Sequence, residues 1–204
     1  MAPKATTVEA VDGRNDTVVI TNEVDVEVLA AVYRQVHAAD LRLVDHSVPT
    51  VEERLEWTAA APGFEAAVGY LGGQLVGAVM GCPLPPETLW WRDLTSSDDS
   101  DLAVEWAGRT FAVCEAFVLP EMRRYRLGHR MTVELLGRRS EERIALAVAE
   151  TNTRVWRALQ RAGFDYVGDV VPFPDWRPHR MLVRRLTPGA PDDRHSGRRS
   201  AGHR

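Results

Sequence analysis

Between Phe111 and Phe164 the chain alternates short apolar runs with turn chemistry in an order that few folds accommodate. A strand-like run ends in Phe117-Val118-Leu119-Pro120 and is followed by Arg123-Arg124-Tyr125-Arg126-Leu127-Gly128. Leu127, Met131 and Leu135 then recur at i, i+4 and i+8, the buried stripe of a helix. A second run, Ile144 to Val148, leads through Asn152 to a helix striped by Val155, Leu159 and Ala162 and closed by Gly163-Phe164. A strand feeding a turn at a helix start aims unpaired amides and the positive end of the helix dipole at one point. That is a physical anion trap.

Elsewhere the patterning gives a mixed α/β order. Val18-Val19-Ile20 reads as an opening strand, and Val28, Leu29, Val32, Tyr33 and Val36 as one helical stripe. Thr50 with Glu53 is a capping-box signature, placing a helix from about Val51 to Ala60. The runs 65–71 and 74–82 flank Gly72-Gly73, a two-residue hairpin of the primed-turn type. Residues 83–108 break the pattern with Pro83, Pro85, Pro86, Trp90-Trp91 and the acidic Asp98, Asp99, Asp101 and Glu105. A structureless segment that long inside a domain is more often functional or disordered. Residues 164–170 and 181–186 read as closing strands. Residues 1–15 and 188–204 lack any stripe and are expected to be disordered, which leaves 16–187 as one domain.

At 204 residues and 45% apolar content, the chain can bury one substantial core. A net charge of −4 gives no argument for a nucleic-acid or membrane partner. No apolar run approaches the roughly 18 residues that span a bilayer. The first residues carry no signal-peptide core, and Cys82 and Cys114 read as reduced, buried thiols. A cytoplasmic location is therefore expected.

The order of elements and the motifs resemble the GNAT superfamily of acyl-CoA-dependent N-acetyltransferases. Arg123 and Gly128 fill the first and last positions of that family's Gln/Arg-x-x-Gly-x-Gly/Ala signature, with Leu127 between its glycine positions. The first glycine position holds Arg126, where a positive φ would cost a non-glycine residue about 1–2 kcal/mol. Pro120 stands where the family's strand ends in Val-x-Pro, and Asn152 precedes Gly163-Phe164 at the family's spacing.

The resemblance implies a GNAT-type α/β fold with a mixed, mostly antiparallel central sheet flanked by helices. It implies acetyl-CoA as acyl donor, no metal, and an amine of a small molecule or protein as acceptor; homodimers are common in the family. The backbone of Phe117 and Val118 would pair with the pantetheine arm, and Asn152 would help to hold it. Arg123, Arg124, Arg126, Leu127, Gly128, His129 and Arg130 would take the pyrophosphate.

Glu115, in an apolar strand, is the candidate base, with exposure to solvent or pairing to an arginine as its structural alternative. Many family members carry a tyrosine acid seven residues after the asparagine; here that position is Leu159, leaving water or one of Tyr33, Tyr125 and Tyr166 as substitutes. The acidic loop with Trp90 and Trp91 is either a lure for a cationic amine or a solvated loop. Trp156 and Trp176 are expected in the core or along a cleft. His37, Asp40, Asp45 and His46 match no zinc spacing and read as surface polar residues after a helix. Two functions follow. One is an N-acetyltransferase; the other is a catalytically weakened CoA-binding or regulatory module, motivated by Arg126 and Leu159.

Overall fold

A computed structural model describes residues 6–8, 16–94 and 101–186. In chain order the elements are β1 (Thr6–Val8), β2 (Asp16–Thr21), α1 (Val26–Val36), α2 (Val44–Ser47), α3 (Val51–Ala59), β3 (Glu65–Leu71) and β4 (Gln74–Pro83). Next come β5 (Thr110–Val118), a 3-10 turn (Pro120–Tyr125), α4 (Leu127–Leu136), β6 (Arg143–Ala149), α5 (Thr153–Arg161), β7 (Asp165–Val170) and β8 (His179–Arg185). The strands form one sheet in the order β1-β2-β3-β4-β5-β6-β8-β7. Every pair is antiparallel except β5 with β6. The sheet is thus mixed and mostly antiparallel, as the sequence implied.

The local chemistry explains these elements. Gly72 and Gly73 both have positive φ, +57° and +81°, as a type I′ hairpin turn requires. Thr50 and Glu53 close both bonds of the capping box at the start of α3. β4 is buried without a break from Val76 to Gly81, which needs cover on both faces of the sheet. α4 supplies one cover, with Leu127 and Met131 against Gly69 of β3. α1 and α3 pack on each other and on β4. A parallel β5–β6 pair cannot be joined by a tight turn, and α4 is its crossover.

Three expectations are corrected. The α1 stripe is Leu29, Ala30, Val32 and Tyr33, with Val28 44% exposed. Thr6–Val8, inside the stretch expected to lack structure, pairs with β2; the rest of 1–15 and all of 188–204 lie outside the described residues. α5 has no fully buried side chain: Trp156 and Leu159 are partly buried against the main core, and Val155, Leu159 and Ala162 line a cleft.

The Trp91 segment is structural. Trp91 and Leu102 pack with Ala112, Ala145, Met181 and Val183 in a second core cluster. Glu105 accepts from Trp91 Nε1 (3.0 Å), Thr110 Oγ1 (2.8 Å) and buried Arg143 Nη2 (3.2 Å). It is consumed in holding this segment to the sheet and is no lure for an amine. Asp98 and Asp99 lie outside the described residues.

Candidate active site

The cleft begins where the sheet opens. β5 and β6 pair only from Thr110↔Arg143 to Val113↔Leu146, although β5 continues to Val118 and β6 to Ala149. The register between β4 and β5 jumps from Met80↔Glu115 to Gly81↔Val113, leaving Cys114 as an extra residue. Such a bulge bends and twists its strand. Gly81 permits it, since a Cβ there would meet the Ala112 carbonyl oxygen at 1.9 Å. Beyond the bulge β5 leaves β6, and Ala116 is exposed in mid-strand. The resulting cleft, about 2020 Å³, is lined by β5, β6, α4 and α5 together with residues of α1 and α3.

One end of the cleft is cationic and rich in amides. Arg126 adopts the left-handed conformation (φ +56°, ψ 21°) as the N-cap of α4, with no side-chain cap bond. The first amides of the helix have no intrahelical acceptor. Arg123 and Arg126 line the cleft and have no ion-pair partner among the described residues. Gly128 and His129 line it too. A Cβ on Gly128 would meet only Val118 Cγ1, at an ordinary 3.6 Å. No protein neighbour among the described residues requires glycine there.

The opposite side carries a charged and aromatic cluster. Arg54 Nε donates to Glu115 Oε1 at 2.8 Å, while its Nη1 donates to the Pro49 carbonyl at 2.8 Å. The guanidinium also lies over the rings of Tyr33 (5.3 Å) and Trp176 (5.4 Å). Burial pushes the Glu115 carboxyl above its ordinary range, against the opposing pull of Arg54. Tyr33 OH is 2.6 Å from His46 Nδ1, and its ring stands edge-on to Phe117 at 5.5 Å. Burial also raises the Tyr33 phenol and, with His46 nearby, lowers His37 to about 4. Asp45 is held by Arg177 at 2.6 Å.

The candidate residues divide between the cleft and the body of the fold. Glu115, Phe117, Val118, Arg123, Arg126, Gly128, His129 and Asn152 all line the cleft. Arg124, Leu127 and Arg130 do not. Arg124 stacks on Tyr125, Leu127 is 1% exposed in the core, and Arg130 ties α4 to β2 through Asp16 at 2.6 Å. Asn152 caps α5, its Oδ1 accepting from Val155 N at 3.3 Å, so its amide NH2 remains available. Phe164 N bonds Leu159 O and Gly163 N bonds Gln160 O, a Schellman stop with Gly163 at φ +82°.

Leu159 lines the cleft where the tyrosine acid was expected. Of the substitutes, Tyr33 alone faces the cleft; Tyr166 is 46% exposed on β7 and packs on Trp156. Trp176 also lines the cleft, whereas Trp156 packs against the main core. His37, Asp40 and His46, read as surface polar residues, instead converge on the cleft wall. Sequence reasoning missed Arg54, whose partner is 61 positions away, and Arg177, 132 positions from Asp45. No local signal marks either pair.

The comparisons agree with this geometry. The sequence model of the Acetyltransferase (GNAT) family matches residues 31–164. No curated protein sequence matches the chain. An acetyltransferase from Thermus thermophilus superposes with a TM-score of 0.55 at 17% identity, over 79% of this chain and 91% of that one. Aminoglycoside 6′-acetyltransferase type Ii gives 0.56 at 15%, over 84% and 99%. Ard1 from Thermoplasma volcanium gives 0.53 at 16%, over 83% and 98%. At such identities the structures speak for the fold alone. With its family model spanning well over half the sequence and its sheet splayed at β5 and β6, the chain belongs to the GNAT family of acetyltransferases.

Proposed function

We propose that this protein moves an acetyl or larger acyl group from acyl-CoA to the primary amine of a small molecule or protein. The observation that carries the reading is the β5–β6 splay, which runs directly into the uncapped, arginine-flanked start of α4. In this reading the pantetheine arm lies in the splay as a pseudo-strand beside Phe117 and Val118, with the Asn152 amide alongside. The diphosphate meets the first amides of α4, the side chains of Arg123 and Arg126, and His129. The bare Gly128 lets it approach.

The amine enters from the Tyr33 and Glu115 side. Its nitrogen attacks the thioester carbonyl carbon as Glu115 takes its proton, and a β5 amide stabilises the developing oxyanion. The C–S bond breaks and the thiolate takes a proton from Tyr33, the tyrosine that faces the cleft, or leaves unaided. A thiol of ordinary pKa near 8.5 is an adequate leaving group. Among the described residues no helix is long and apolar enough to cross a membrane, and a cytoplasmic location suits the thiol forms of Cys82 and Cys114.

The second reading, a CoA-binding module with little turnover, is favoured by the Arg54 pairing of Glu115 and by Leu159 in the cleft. Steady-state assays across a broad amine panel decide between them. Acyl transfer above the hydrolysis background supports the enzyme; CoA binding without transfer to any amine supports the module.

A further inference from the structure

His37, Asp40 and His46 stand close together although nothing in the proposed chemistry uses them. One ligand atom from each lies within 4.8 Å of the other two. Ligands held about 2.1 Å from a tetrahedral ion are about 3.4 Å apart, so a contraction of an ångström or so would close the set. We infer that His37, Asp40 and His46 form a site for a divalent first-row metal ion of the zinc class on the cleft wall.

The chain builds this site by folding back after α1. His37 is the C-cap of α1, and three successive turns join the three residues: Asp40 N to His37 O (2.8 Å), Leu43 N to Asp40 O (2.9 Å) and His46 N to Leu43 O (3.0 Å). The two imidazoles lie 4.5 Å apart, centroid to centroid. Tyr33 OH holds His46 by Nδ1 at 2.6 Å, which fixes the ring and leaves Nε2 for the ion. Metal-binding histidines characteristically have their second nitrogen fixed in this way. Two histidines and one carboxylate make a ligand set that binds zinc with an open fourth position. All three residues line the cleft, so that position opens into it. No ion pair within the described residues engages Asp40, so its carboxylate is available.

Metal binding here does not depend on acyl transfer, and it is tested without CoA. Zn2+, then Co2+, is titrated into the metal-free full-length protein by calorimetry and absorbance. One equivalent is expected to bind, with cobalt bands of four- or five-coordinate intensity. The double variant His37→Ala/His46→Ala is expected to abolish binding, and Asp40→Asn to weaken it. Tyr33→Phe is expected to weaken it about 10–100-fold through the lost hold on His46. Zinc-edge absorption of the wild-type protein, which needs no variant to fold, should show two imidazoles, oxygen ligands and no sulfur. Absence of binding under metal excess would overturn the site. So would a sulfur shell, which would point to Cys82 and Cys114, or binding unchanged in the double variant, which would point to other histidines of the chain.

Discussion

Arg54 Nε stands 2.8 Å from Glu115 Oε1, and this contact joins α3 to the strand that opens the cleft. Both side chains are largely buried, 6% and 14% exposed. Removing one partner of such a pair costs about 3–5 kcal/mol, because the other charge is left uncompensated. Glu115→Gln keeps an acceptor for Arg54 and cannot take a proton. It is expected to fold while losing about 10²–10⁴ in kcat. Glu115→Ala should lose both activity and stability. Thermal denaturation beside steady-state kinetics separates the two effects.

The same pair sets a pH dependence. Glu115 faces Arg54 from α3, Tyr33 from α1 and its neighbour Cys114. Burial raises its pKa, and a base must be ionised to act, so activity falls as pH drops through that raised value. The acidic limb of kcat/KM should therefore lie above the ordinary glutamate value of about 4.3. Arg54→Leu removes the opposing cation and should move the limb higher still. Glu115→Gln should erase it. A pH profile with the limb unchanged in both variants would assign it to another group.

At Gly128 the requirements of fold and ligand diverge. An added Cβ has room against Val118, and alanine favours a helix over glycine by about 1 kcal/mol. Gly128→Ala should leave the melting temperature equal or higher. Alanine, which the family's signature also admits at this position, should keep acetyl-CoA binding, whereas the larger Gly128→Leu should weaken it by filling the approach to the α4 amides. A loss of stability with affinity retained would show that the glycine serves the fold.

Arg126 carries a backbone cost and a charge in one residue. Arg126→Gly relieves a left-handed φ worth about 1–2 kcal/mol and removes the cation. It should melt higher, and its acetyl-CoA affinity should depend less on salt. Arg126→Ala loses the charge and keeps the strain, so it should weaken binding with no gain in stability. Calorimetry at two ionic strengths reads both effects.

At Leu159 a tyrosine would project into the cleft from α5. If protonation of the thiolate limits turnover, Leu159→Tyr raises kcat, and most strongly in a Tyr33→Phe background. Burst kinetics would show whether chemistry is the limiting step.

The elements were legible because their signals are local. The Thr50–Glu53 box, the Gly72-Gly73 turn and the Gly163-Phe164 stop each act within a few residues, and each forms as its chemistry dictates. The site was legible on its backbone side, where Arg123 to Gly128 lie consecutively. Its acceptor side was not. Arg54 with Glu115, Tyr33 with His46 and Arg177 with Asp45 are tertiary pairs that no periodicity marks. Arg130 stands beside Arg123, Arg124 and Arg126 in the sequence, yet its partner is Asp16 on β2. The stripe of α5 was read as core, yet only Leu159 of it packs on the core and all three residues line the cleft, since periodicity cannot tell a core from a cleft.

The most direct test is calorimetric titration of acetyl-CoA into the wild-type protein and Gly128→Leu, followed by native mass spectrometry. One molecule of acetyl-CoA per chain, bound by the wild type and clearly weakened in a stably folded Gly128→Leu, is the expected outcome. A wild-type protein that binds no acyl-CoA even at millimolar ligand would refute the proposed use of the cleft.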